Sequence, residues 1–484
     1  MRPASNTDRA GWAAQRWVLA VTAVASLMVA LDALVVSTAL STIRVHLHAS
    51  VQQLEWTVNA YTLSFAVLLM TGSVLGDRFG RRRMFCVGVG LFAAASAGCA
   101  LSPDASWLIA ARAVQGAGAA LVMPLALALL TAAFASQDRP KALGIFGAVT
   151  GLAVSLGPLF GGAVVQGISW PWIFWFNVPV GLALIAFALG RIEESFGPRV
   201  DADVRGLALV TGAALAIIWA LVRGNPAGWG SVEVLATLGL GALLAAAFVA
   251  WELRADAPML PMRLFGSRRF SAGNAATFFH WASAFGALYL MAQFLQNGLG
   301  YGPLDAGLRL IPWGAVTVIV PPVAGRLIPR FGERPFIASG MALNAAALGT
   351  IAVVADPQVA YWQIGVLLAI SGAGVAMSLP AAQSAVLTSV ATPDIGVSSG
   401  TFMTMRQLGG AFGVAILVAV FAGAGNYASQ QAFIDGFAPA AGVTASLGAV
   451  AALAGLALPR RRIVPVADLS TVSAVAIAEI KVEA

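Results

Sequence analysis

The chain is predicted to be an all-α integral membrane protein of fourteen crossings. Apolar residues make up 59% of its 484 positions and charged residues only 10%. Mean hydropathy is +0.85, and the apolar residues come in long runs instead of alternating. A soluble chain carries roughly 25% charged residues, so charge here is too scarce to solvate a globular surface. A bilayer core takes about 20 apolar residues per helix, whereas membrane strands alternate over about 10. Open backbone cannot face lipid, so the runs read as a helical bundle.

The runs lie near 17–40, 54–76, 84–102, 107–134, 141–165, 170–190, 204–222, 232–252, 270–296, 305–328, 336–354, 361–390, 397–424 and 437–458. Turn residues such as Ser102-Pro103-Asp104 and Gly224-Asn225-Pro226 separate them. The first run is too long for a signal-peptide core and lacks a clear cleavage site, so it reads as a retained crossing. Residues 1–16 and 459–484 read as short tails.

Orientation follows from the 28 lysines and arginines. Nearly all lie in the tails and in the loops on the N-terminal side. Only Arg44 and Arg223 fall in opposite loops, and Arg112, Arg309 and Arg406 fall inside runs. Positive charge stays cytoplasmic, so both termini are expected inside, in a multi-pass protein of the cytoplasmic membrane. The net charge of +7 is spread in short clusters between apolar runs, which argues for loops and against nucleic acid. Arginine dominates, with only Lys141 and Lys481 as lysines, and abundant Ala and Gly indicate a GC-rich bacterial genome. Cys86 and Cys99 share one run, about 20 Å apart on a helix, and cannot bridge each other.

An internal echo organises the chain. Arg78-Phe79-Gly80-Arg81-Arg82 follows the second run, and Arg330-Phe331-Gly332-Glu333-Arg334 follows the tenth. A duplication would pair crossings 1–6 with 9–14, giving six-helix bundles over 17–190 and 270–458. The two helices over 204–252 are then an insertion. Parallel repeats are a transporter architecture, with the substrate site between them near mid-membrane.

Asp32 is the one acid well inside a run. Placing an aspartate near mid-membrane costs about 2.5–3.5 kcal/mol on insertion scales, so such acids usually have work to do. A desolvated carboxyl can take up a proton near neutral pH. Arg112 is its natural partner: at 1.5 Å per residue, Asp32 lies about 12 Å and Arg112 about 8 Å from the same membrane face. Asp32 is read as exchanging between Arg112, a proton and the substrate. The plainer alternative is a carboxylate paired permanently with arginine.

Several strings together resemble the major facilitator superfamily. Gly72–Met84, GSVLGDRFGRRRM, resembles its loop between the second and third helices. Leu108–Pro124, LIAARAVQGAGAALVMP, resembles its fourth-helix motif, with Arg112, Gln115, Gly116 and Gly118 in place. Gly147–Gly162, GAVTGLAVSLGPLFGG, resembles the fifth-helix motif of antiporters. Leu31–Val36 and Trp172–Gly181 look like the fourteen-crossing drug:proton antiporter branch. The resemblance implies two six-helix bundles plus two inserted helices.

The resemblance also implies roles. Asp77, with Arg78, Gly80 and Arg81, would form a cytoplasmic latch meeting the helix N-terminus near Gly396–Ser399, where free N–H groups favour a carboxylate. The alternative is a solvated loop. In the echo Pro329 replaces this Asp. Gly147, Gly151, Gly157, Pro158, Gly161 and Gly162 would form a close-packing groove on which the halves rock; ordinary helix packing is the alternative. Asn59, Tyr61, Gln115, Gln293, Asn344 and Gln383 are candidates for a central cavity. Trp281 and Trp313 could stack on a flat substrate there or belong to interfacial belts. His280 is either a second proton site or a hydrogen-bonded core residue. Arg406 resembles a recurring family position that helps organise the second half, and Arg309 reads as a snorkelling side chain.

Three other motifs lack their context. Gly396-Val397-Ser398-Ser399-Gly400 fits a hydrolase elbow but has no strand before it. His46 and His48 make only two metal ligands, and neither lysine follows a phosphate-binding glycine loop. The expected function is proton-coupled export of small lipophilic drugs or antibiotics, with no enzyme chemistry, cofactor or metal, by a monomer. A proton-coupled importer of the same fold or a non-transporting membrane sensor are the alternatives.

Overall fold

The computed structural model describes residues 6–134, 138–197, 203–256, 258–391 and 394–460; most of the expected C-terminal tail lies outside them. Its first half comprises α1 (Asn6–His46), α2 (Val51–Phe79), α3 (Arg81–Ala100), α4 (Ala105–Ala133), α5 (Arg139–Gly167), α6 (Trp172–Trp175) and α7 (Asn177–Arg191). Next come α8 (Val204–Ala227) and α9 (Val232–Glu252). The second half comprises α10 (Arg268–Gln293), α11 (Pro303–Arg309), α12 (Ile311–Phe331), α13 (Glu333–Val354), α14 (Tyr361–Leu387), α15 (Ile395–Ala424) and α16 (Gln430–Leu456). No strand occurs among the described residues.

Thirteen helical stretches among the described residues are long and apolar enough to cross a membrane. The 29-residue α5 stands where the fifth crossing is expected and packs against α1. Turn residues between the runs act as caps. Ser50 and Gln53 form a reciprocal capping box on α2, at 3.2 and 2.9 Å. Asp104 accepts the Trp107 N–H at 2.8 Å on α4, and Asp203 accepts the Gly206 N–H at 2.8 Å on α8. Each satisfies a backbone donor that the first turn leaves free.

Three crossings are less regular than uninterrupted runs suggest. The sixth is split into α6 and α7, and the tenth into α11 and α12 at Leu310. The ninth ends in a π-helical turn, Phe294–Gly298. The first helix begins at Asn6, within the expected N-terminal tail, and its 41 residues exceed what a bilayer needs.

The halves are joined more tightly at one end than at the other. At the end away from the termini a single apolar core runs through both, uniting Leu34, Val35, Ile43 and Leu54 with Leu288, Phe294, Phe433 and Phe437. At the terminus-bearing end there are two cores. One holds Phe85, Phe92 and Leu125, the other Phe270, Ile337 and Phe402, and half-buried Met403 packs against both. The inserted α8 lies across the α2–α15 seam, where Ile218 and Val222 pack with Leu63, Val67, Leu408 and Ala411.

The echoed loops share one backbone device. Gly80 and Gly332 adopt φ of +104° and +79°, the region where a side chain is strained and glycine is not. Each joins two helices of its half at the same step of the repeat.

Candidate functional site

Asp32, on α1, is completely buried, and the 1%-exposed Arg112 of α4 meets it at 2.5 Å. Arg112 bonds through Nη1 to Asp32 Oδ2 and donates through Nη1 to Gln115 Oε1 at 2.7 Å and through Nε to the Thr57 carbonyl at 3.2 Å. Its guanidinium lies 4.1 Å over the Tyr61 ring. The other carboxylate oxygen accepts from Gln115 Nε2 and Asn177 Nδ2, both at 2.9 Å. Asn177 also donates to Ser96 Oγ at 3.0 Å, and Gln115 donates to the same hydroxyl at 2.5 Å. Charge-assisted hydrogen bonds are the strong kind, and here five helices contribute to one closed network.

Asn177 and Ser96 are the members that residue-type reasoning missed. Neutral amides and hydroxyls are ordinary in membrane helices, and only the fold shows which ones face a carboxylate. Asn177 does lie within the Trp172–Gly181 string. It is the first residue of α7, so the break after α6 sets its place beside Asp32.

Glu55 is the larger omission. Four residues into α2, it looks like a solvated helix end, yet it is 1% exposed. Asn59 Nδ2 donates to it at 3.3 Å.

The expected cavity residues separate into groups. Tyr61 and Gln115 are fully buried within the Asp32 network, the Tyr61 hydroxyl donating to the Val29 carbonyl at 3.2 Å. Asn344 is committed to Ser283 and Ser371, at 2.9 and 2.7 Å, and Gln383 is exposed. His280 shares a 2.7 Å hydrogen bond through Nδ1 with Ser378, while its Nε2 is buried without a partner. Trp281 lies 4.1 Å beneath the Arg406 guanidinium. Trp313 is buried in the apolar core, its backbone against Gly372.

Gln293 belongs to a polar seam between the halves at the end away from the termini. It accepts the Tyr427 hydroxyl, and the Arg44 guanidinium covers the Tyr427 ring at 4.3 Å. Burial pushes the Tyr427 phenol up, outweighing the pull of Arg44, so it stays a neutral donor. The π-helical turn supplies two more ties: Gln296 to the Thr38 carbonyl and Asn297 to Ser41 Oγ, both at 3.0 Å. Departures from regular helix often mark functional positions.

On α5 the glycines serve two interfaces. Gly157 and Gly161 lie against Leu34, Val35 and Thr38 of α1, within the same half. Gly162 lies against the Pro303–Leu304 backbone of the other half, and the Pro158 carbonyl against Gly307. Gly147 faces open space, and the surroundings of Gly151 lie outside the described residues.

At the terminus-bearing end the recorded bonds of Asp77 among the described residues lie within its own half. Arg81 Nε donates to it at 2.7 Å, and the Gly197 N–H donates to its backbone carbonyl at 3.2 Å. Arg78 lies over the Phe79 ring. Beside it Glu194 meets the N-terminus of α3, accepting the Arg82 and Arg83 N–H groups at 2.8 and 3.2 Å. The start of α15 carries its own acid, Asp394, held by both Arg263 amino groups at 2.7 and 3.0 Å.

Against known families, residues 22–414 match the Major Facilitator Superfamily. The tetracenomycin C resistance and export protein of Streptomyces glaucescens is 34% identical over 417 residues, covering 85% of this chain and 77% of that protein. The lincomycin resistance protein of Streptomyces lincolnensis is 34% identical over 427 residues, covering 85% and 86%. Among solved structures, a bacterial homolog of the human lysosomal transporter Spinster, inward-facing and unoccupied, aligns with a TM-score of 0.66 at 16% identity, over 93% of this chain and 99% of that one. A D-xylose–proton symporter aligns at 0.64 and 17%, over 92% and 98%. At such identities the structural likeness is one of fold.

Proposed function

The chain belongs to the Major Facilitator Superfamily, and from that premise we propose that it exports small lipophilic drugs or antibiotics across the cytoplasmic membrane in exchange for protons. The resistance and export relatives support the substrate class. The observation that carries the coupling is the sealed Asp32–Arg112 pair. A mid-membrane acid held by one arginine, with neutral amides ready to hold either partner, is the arrangement that proton exchange requires.

Both termini are cytoplasmic, following the distribution of arginine. The end away from the termini is then extracellular, and the joined core there makes this the inward-facing state. In the outward-facing state a proton reaches Asp32 from outside and neutralises it. Arg112 is then released toward Gln115 and Thr57, which already accept from it. The halves rock on the α5–α11 contact at Gly162 and Gly307, and the proton leaves inside when the next substrate binds. Asp77 latches the cytoplasmic ends in the opposite state. The protein works as a monomer without cofactor. A driving force of about 150 mV supplies roughly 3.5 kcal/mol per proton, enough for a gradient of a few hundredfold for a neutral substrate.

The test uses inverted membrane vesicles with an imposed pH gradient and a fluorescent lipophilic dye added to the outer medium. Export predicts dye accumulation inside the vesicles that collapses with the gradient. Movement in the reverse direction would favour an importer, and no protein-dependent flux a sensor.

A further inference from the structure

Glu55 is a buried acid that the exchange mechanism does not use. Its carboxylate is sealed, and no arginine, lysine or histidine pairs with it among the described residues; Asn59 Nδ2 is its hydrogen-bond donor. Asn59 Oδ1 and the hydroxyl of Tyr289 are among the buried polar atoms that lack a hydrogen-bond partner among the described residues. Tyr289, on α10 of the other half, lies within electrostatic reach of Glu55. Gln293, one turn further along α10, accepts from Tyr427 in the seam that closes this end.

An ionised carboxylate closed off without a cation is far costlier to bury than its neutral acid. A protonated acid also supplies the O–H donor that the Asn59 amide oxygen lacks. We propose that Glu55 is a second proton-binding site, filled when the outer end is shut and emptied to external water when the halves part. The O–H bond forms as the gate closes and breaks as it opens. The proton comes from and returns to the same side, so it adds nothing to the exchange ratio. It makes closure of the outer gate depend on external pH. This rests on the alternating-access reading above.

The helices packed on α2 carry charged groups whose recorded contacts lie elsewhere. Arg112 of α4 is bound to Asp32 and Thr57, Arg44 of α1 covers Tyr427, and Arg223 of α8 pairs with Glu233. Arg406 of α15 lies over Trp281. His46 packs edge-on against Trp170, and His48 occupies the α1–α2 turn. Both histidines lie at this end of the protein, so the test must act on Glu55 itself.

Ser41→Cys and Asn297→Cys place thiols across the gate, where the native side chains hydrogen-bond at 3.0 Å. With Cys86→Ala, the native thiol that remains is the buried Cys99. The full-length protein in right-side-out proteoliposomes is treated with a short bifunctional thiol reagent at external pH 5.5–8.5. Cross-linking is expected to fall several-fold as external pH rises, with or without Asp32→Asn. In Glu55→Gln combined with Asp32→Asn, which leaves neither acid to respond to external pH, it should stay high throughout. Should the Gln variant not insert, Glu55→Asp provides a second arm, because its more acidic carboxyl moves the midpoint toward acid. An unchanged pH response in that double variant, or an unshifted midpoint in Glu55→Asp, overturns the proposal alone. Full cross-linking at every pH in all variants overturns both it and alternating access.

Discussion

Asp32 and Arg112, eighty positions apart on α1 and α4, meet at 2.5 Å with neither side chain above 1% exposure. Removing one partner from such a pair costs about 3–5 kcal/mol, because the other charge is left buried alone, whereas replacing both with apolar residues is often neutral. Asp32→Asn is therefore expected to lower the thermal midpoint and to abolish dye movement driven by a pH gradient. Asp32→Leu with Arg112→Met should recover part of the stability and none of the transport. Recovered transport in the double variant would mean that the pair is structural.

Asn177 makes a smaller, separable contribution. Asn177→Ala removes one donor from the carboxylate, a loss of about 1.5–3 kcal/mol for a hydrogen bond to a charged group. The Asp32–Arg112 contact itself survives. Gln115→Ala removes the neighbouring donor and leaves the Ser96 hydroxyl with Asn177 as its donor. The two should couple by more than about 0.5 kcal/mol in a double-mutant cycle of unfolding, since they share both partners. Strict additivity would place them in separate networks.

The crossings were legible because lipid imposes a length and a composition, and runs such as 232–252 match their helix to the residue. Asp32 stood out for the same reason: a carboxyl in a long apolar run is costly and needs a partner or a task. Helical rise then placed Arg112 at a compatible depth, and the structure brings the two together. Glu55 was not legible. Its burial depends on tertiary packing around a helix end, which leaves no local mark. Asn177 and Ser96 failed for a related reason, as their partner lies on another helix. The fifth-helix glycines were visible as a set, but their division between α1 and α11 depends on how the halves dock.

Gly162 tests that docking. A β-carbon there would collide with the Pro303 carbonyl and Leu304 Cα, backbone atoms that cannot move aside as a flexible side chain can. Gly162→Val is expected to keep the outer ends apart and abolish dye transport at normal membrane expression. The Ser41→Cys/Asn297→Cys pair should then cross-link poorly. Gly147 faces open space, so Gly147→Ala should change stability by no more than about 0.5 kcal/mol. Equal effects at the two glycines would remove the distinction between interface and free face.

Glu194 caps the first turn of α3, whereas Asp77 pairs with Arg81. Glu194→Gln removes the negative charge from the first turn of α3, where capping and the helix dipole together contribute about 1–2 kcal/mol. That loss should appear as a lower thermal midpoint in the inward-facing state. Asp77 pairs with Arg81 at 2.7 Å with side-chain exposures of 23% and 20%, and a partly solvated pair of this kind contributes up to about 1 kcal/mol. Asp77→Asn should therefore leave the midpoint nearly unchanged. If Asp77 latches the opposite state, the same variant lowers dye transport out of proportion to its stability. It should also increase cross-linking of the outer gate, because the outward-facing state loses a contact that the inward-facing state does not have. Transport that simply tracked stability in both variants would leave Asp77 a loop residue like its neighbours.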